Sequence, residues 1–174
     1  MKFTGLLTIA LASTAIAGPV KRALADYQNV FNAISAQVAV VDGVVANYVG
    51  GSATADAVQD ASDDLVTIIN DGATSISGFA SLTNLEALSL VSPIQTLTGD
   101  VSDLVDAVIA AEPNFVADGR EADVLASLNA QKAGSEAVRD AITPKVPTAL
   151  QSIAAELAQG IVDEIERGIV AYSD

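Results

Sequence analysis

The sequence predicts an all-α protein, an up-and-down antiparallel bundle of four long helices plus one short helix. Three observations carry the prediction: apolar residues recur every three to four positions along each long segment, period-two alternation is nearly absent, and glycine or proline marks the breaks. The clearest case is the stretch from Ala122 to Tyr172, where two helical patterns flank the turn Pro144-Lys145-Val146-Pro147. In the second arm Val146, Leu150, Ile153, Leu157, Ile161, Ile165, Ile169 and Tyr172 form one apolar stripe. In the first arm Leu125, Leu128, Lys132, Ser135, Arg139 and Ile142 share a stripe, and Val124, Leu128, Val138 and Ile142 mark its neighbour. A hairpin of this kind cannot bury both faces alone, so the earlier segments must pack on it.

Each earlier element has its own reason. The spacing predicts a helix from about Ala23 to Tyr48 with Tyr27, Phe31, Ile34, Val38, Val41, Val45 and Tyr48 on one stripe, stopped by Gly50-Gly51. A second helix runs from about Ala53 to Gly78, with Val58, Ser62, Leu65, Ile69 and Ile76 on one face and Asp56, Asp60, Asp63 and Asp64 near its start, where the helix dipole favours negative charge. Thr83 and Glu86 fit a capping box for a short helix through Leu90. Ser92-Pro93 reads as N-cap and first position of a helix carrying Ile94, Leu97, Val101, Leu104, Val108 and Ala111, which is expected to stop before Pro113. Asp118 with Glu121 repeats the cap pattern and opens the hairpin.

The ends speak of export. Met1-Lys2, the apolar run Phe3–Ala15 and Ala15-Ile16-Ala17 read as a signal peptide over 1–17. Lys21-Arg22 marks either a dibasic-processed segment over 18–22 or two solvated charges, leaving 23–174 as a single helical domain. Removing 1–22 takes three of the 8 basic residues and none of the 22 acidic ones, so the mature chain carries 5 − 22 = −17. No lysine or arginine lies between Ala23 and Gly119. This excludes a phosphate-neutralising nucleic-acid binder and disfavours docking on an anionic bilayer.

Without cysteine or histidine the chain has no disulfides, no Ser-His-Asp triad and none of the usual zinc, copper or haem ligands, so no cofactor or metal is expected. No Gly-x-Ser-x-Gly elbow or phosphate-cradling loop occurs, and the acidic residues fall mostly on exposed helix faces; the chain reads as a non-enzyme. No mature stretch is expected to span a membrane. Glycines at 72, 99, 134, 160 and 168 fall inside predicted helices, where each costs about 1 kcal/mol against alanine. They mark either close helix approach or room for an apolar guest.

Residues spread along the chain carry a family resemblance: Ile68-Ile69-Asn70-Asp71-Gly72, Ala87-Leu88-Ser89-Leu90 before Pro93-Ile94-Gln95, Val124-Leu125-Ala126-Ser127-Leu128, Gln131-Lys132, Ala141-Ile142-Thr143, Lys145-Val146-Pro147 and Gly160-Ile161. In their order and spacing the chain resembles the fungal hydrophobic surface-binding protein A family, related to cell-wall galactomannoproteins. The resemblance implies a secreted, all-helical non-enzyme that binds hydrophobic solid surfaces or apolar ligands and helps recruit a secreted polyester hydrolase to hydrophobic solids. Its alternative is a cell-wall mannoprotein or antigen holding a fatty acid between helices. A Ser/Thr-rich tail is lacking, which favours the secreted branch.

If an apolar guest is held, the stripes place it against Phe31, Ile34, Leu65, Ile69, Leu104, Val108, Leu128, Leu157 and Ile161. Lys132 is the candidate partner for a fatty-acid carboxylate; its other reading is a lysine snorkelling from the edge of the core.

Overall fold

The computed structural model describes residues 19–173. The expected signal peptide, 1–17, lies outside them. Six α-helices follow in chain order: α1 (Pro19–Ala46), α2 (Ser52–Gly78), α3 (Asn84–Ser89), α4 (Val91–Ala117), α5 (Glu121–Ile142) and α6 (Gln151–Ala171). Two 3-10 turns, Thr143–Lys145 and Thr148–Leu150, join α5 to α6. The class is all-α and the long helices run up and down in succession. They number five among the described residues, because both arms of the hairpin count beside α1, α2 and α4.

The five long helices close into a ring in the order α1, α2, α5, α6, α4 and back to α1. Side-chain links fix the directions. Ser35 reaches Asp100 while Tyr48 reaches the end of α4, so α1 and α4 are parallel. Gln59 meets Ser127 and Lys145 meets the carbonyl of Ser77, so α2 and α5 are parallel as well. Arg167 pairs with Asp106 and Tyr172 donates to the carbonyl of Val108, aligning α6 with α4. Alternating directions cannot close around a ring of five, since five is odd; here only α1/α2 and α5/α6 remain antiparallel neighbours.

Local sequence sets most boundaries. Gly50 and Gly51 take φ of 101° and 104°, left-handed values that close the α1–α2 turn. Thr83 accepts from the N–H of Glu86 while the Glu86 carboxylate accepts from the N–H of Thr83, as the capping box predicts. Three expectations are corrected. Ser92 does not cap: α4 begins at Val91, and Pro93 sits in its first turn, where an N–H has no intrahelical partner anyway. The helix runs through Pro113 to Ala117, because Phe115 is buried against Tyr48, their rings stacked 4.2 Å apart, and that burial outweighs one missing hydrogen bond. Asp118 does not cap α5 either; its carboxylate is taken by Tyr48 and the N–H of Gly51.

The inward faces also differ from the expected stripes. α6 sits between α5 and α4, so it buries Ala158, Val162, Ile165 and Gly168, leaving Ile153 half exposed. On α5 the stripe through Val124, Leu128, Val138 and Ile142 faces inward, joined by Ser127, Gln131 and Gly134. One expectation about membranes is corrected too: Ala23–Ala46 is long and apolar enough to cross a bilayer by length and composition. Its stripe from Tyr27 to Val45 is nonetheless buried in the bundle core.

Close helix approach accounts for three of the interior glycines. A Cβ at Gly134 would stand 2.8 Å from Cγ2 of Ile69, one at Gly72 2.8 Å from Cγ1 of Val30, and one at Gly168 3.3 Å from Cγ1 of Val105. Gly99 meets nothing within 4 Å and Gly160 has only Thr98 at 3.6 Å, so these two do not report tight packing.

Candidate apolar-ligand site

Five amphipathic helices around a ring turn their apolar stripes toward one axis. Valine and alanine are common on those stripes, and they fill less of the axis than leucine or phenylalanine would. A lumen of about 60 Å³ remains, walled by all five long helices. A water needs roughly 10–15 Å³ of such space, and a cavity that holds benzene is nearer 150 Å³. The lumen is therefore a narrow slot into which an alkyl chain fits only if side chains turn or helices part.

Eight of the ten residues singled out from the sequence line this lumen: Phe31, Ile34, Leu65, Ile69, Leu104, Val108, Leu128 and Ile161. Two stand elsewhere. Leu157 lines a second, shallower groove of about 30 Å³ with Leu88, Leu90, Ile153 and Ala154, because α6 is rotated from its expected face. Lys132 lies between α5 and α6 with its Nζ 2.5 Å from the Glu166 carboxylate. That hydrogen bond is the main cause of its raised pKa, and it engages the ammonium expected to meet a head group.

The polar groups that do face the lumen were missed. Gln59 and Ser62 on α2, and Ser127, Gln131 and Ser135 on α5, form a strip along the α2–α5 seam. Gln59 Nε2 donates to Ser127 Oγ at 3.1 Å and to Asp63 Oδ1 at 2.9 Å. Gln131 is 6% exposed, and its side chain makes no hydrogen bond with another described residue. Among those residues no fully enclosed side-chain nitrogen or oxygen lacks a partner, so its amide abuts the open space of the lumen. The signal was present in the sequence: positions 127, 131, 134, 138 and 142 keep helical spacing, and polar residues interrupt a stripe whose other members are apolar.

Both ends of the lumen are built differently. The upper end, where α1, α4 and α6 finish, is clasped. Tyr48 donates to Asp118, Phe115 lies between the rings of Tyr48 and Tyr172, and Arg120 bridges Asp56 and Asp123 at 2.9 and 3.0 Å. Burial, and then the bond to Asp118, pushes the Tyr48 phenol up to about 12. The same bond, with that from Gly51, holds the Asp118 carboxyl below its ordinary range. At the lower end Lys145 caps α2 by donating to the carbonyls of Ser77 and Phe79 at 2.7 and 2.8 Å, and Tyr27 donates to the carbonyl of Ala80 with its ring edge-on to Phe79. On the α3–α6 side of that end the wall is only a six-residue helix and two 3-10 turns, with Leu85 76% and Leu88 54% exposed.

Comparison with known proteins agrees with this architecture. The family model for hydrophobic surface binding protein A matches residues 24–144. Cell wall mannoprotein 1 of Aspergillus flavus is 36% identical over 175 residues, covering 100% of this chain and 63% of the relative. The chain thus spans about three fifths of that relative's length. Ligand binding domain 1 of the Penicillium marneffei MP1 protein, solved complexed with arachidonic acids, superposes with a TM-score of 0.83 at 25% identity, covering 88% of this chain and 100% of that one. Domain 2 of the same protein, complexed with multiple arachidonic acids, gives 0.81 at 28% identity, covering 86% and 95%.

Proposed function

Because the chain belongs to the hydrophobic surface binding protein A family, we propose that it is a non-enzymatic, extracellular or cell-wall-associated carrier that holds a fatty acid in the five-helix lumen. The observation that carries this reading is the lumen itself, mainly apolar, with a polar strip along the α2–α5 seam and Arg120 and Asp123 at its upper end. The arachidonic acids in the related MP1 domains support the choice of ligand class. In this reading the acyl chain lies among Phe31, Ile34, Ile69 and Leu104, and the carboxylate accepts hydrogen bonds from the Gln131 amide and neighbouring serine hydroxyls. Each buried methylene contributes about 0.8 kcal/mol, so a long chain reaches micromolar affinity even after association costs and helix separation. Titrating palmitate into the purified chain tests it: saturable binding is expected, and a signal that only follows micelle formation would reject it.

A second reading, adsorption to hydrophobic solids, draws on one observation. Leu85, Leu88 and Ile153 are each at least half exposed at the α3–α6 end, where a solid would cover them. Purified protein should then deplete onto polyester particles in high and low salt alike, and a polyester hydrolase mixed in should deplete with it. Full recovery of the chain in the supernatant would reject adsorption.

A further inference from the structure

The second groove continues the lumen. Ile94 at the start of α4 and Ile142 at the end of α5 belong to the walls of both, so these two buried side chains stand between the slot and the groove at the α3–α6 end. We propose that this groove is an outer subsite for the same ligand, holding the far end of acyl chains too long for the lumen. The inference rests on the carrier reading above.

Length supports it. From Gln131 to Ile142 is 142 − 131 = 11 residues along α5, about 16 Å at ~1.5 Å per residue. An extended hydrocarbon advances less per bond than a helix does per residue, so about a dozen carbons cover that span. A laurate whose carboxylate meets Gln131 ends inside the lumen; a palmitate reaches the isoleucine pair and passes it. Beyond the pair, Leu88, Leu90, Leu157 and Ala154 offer an apolar bed, and the rim carries no charge. The surrounding backbone also opens at low cost. It consists of the short helix α3 and two 3-10 turns, elements with few hydrogen bonds to lose, whereas the opposite end is clasped by Tyr48, Asp118 and the Phe115 aromatic cluster.

Calorimetric titration of the full chain with laurate and with palmitate, each below its micelle concentration, tests the subsite in two variants. Leu157→Trp fills the groove, and Leu88→Asp places a charge on its already exposed rim, where folding is unaffected. Both variants should bind laurate like the wild type and palmitate about tenfold more weakly, the loss of roughly two buried methylenes. Equal affinity for palmitate in wild type and Leu88→Asp, or the same weakening for laurate as for palmitate, would overturn the subsite while leaving lumen binding intact. If the wild type binds neither acid, the carrier reading itself fails, and the subsite with it.

Discussion

Tyr48 donates its phenolic hydrogen to Asp118 Oδ2 at 2.6 Å, and the same oxygen accepts from the Gly51 N–H at 2.5 Å. One carboxylate thus ties the α1–α2 turn to the end of α4 and shuts the upper end of the ring. Tyr48→Phe keeps the stacking on Phe115 and removes the hydroxyl's contacts with Asp118 and with the Asn114 carbonyl. It should lower the Tm by about 2–4 °C, measured by circular dichroism; an unchanged Tm would mean the clasp holds nothing.

All three tyrosines of the chain are buried, and burial raises each phenol above its ordinary value of 10, to about 12 for Tyr27 and Tyr48. A folded pKa above the unfolded one gives stability that is fully present below about pH 10 and is lost as pH rises toward 12. Ultraviolet titration should therefore show little phenolate near pH 10, where free tyrosine is half ionised, and then a rise coincident with loss of helix. A gradual rise centred on pH 10 with the helix intact would contradict the burial.

Two glycines predict opposite effects of the same substitution. Gly134→Ala drives a Cβ to 2.8 Å from Ile69 and should destabilise by roughly 1–3 kcal/mol. Gly99→Ala enters open space on α4 and should stabilise by about 1 kcal/mol. Urea unfolding of both variants decides between tight packing at one site and simple backbone cost at the other.

Gln131 and Lys132 are adjacent in sequence but face different neighbours, Gln131 the lumen and Lys132 the Glu166 carboxylate. Gln131→Leu should weaken fatty-acid binding about tenfold and leave the empty protein folded, since the amide it replaces makes no side-chain hydrogen bond with another described residue. Lys132→Met should leave the affinity unchanged, because its ammonium serves Glu166. The reverse pattern in a binding titration would return the head group to Lys132.

That pair also measures how far the sequence could be read. Helical periodicity is a local property, so α1, α2, α4 and the Thr83 capping box were legible, as were the six lumen-lining residues on those three stripes, Phe31, Ile34, Leu65, Ile69, Leu104 and Val108. Which stripe of a helix faces the axis depends on its two ring neighbours, and sequence does not state the ring order. For that reason Leu157 was placed in the lumen and Gln131 was overlooked. Proline rules failed at Pro113 on the same ground, because the burial of Phe115 is a tertiary contact. Asp118 looked like a cap since its partner, Tyr48, lies 70 residues away.

Fatty-acid binding requires that the slot among the five helices admit an acyl chain. Leu104 lines it midway along α4, and tryptophan at that position would occupy the space. The most direct measurement is a calorimetric titration of palmitate into the wild-type chain and into Leu104→Trp. Saturable binding by the wild type, with at least tenfold weaker binding by a variant of unchanged helical signal, is the predicted result. Equal affinities for the two proteins, or no saturation in the wild type, would contradict it.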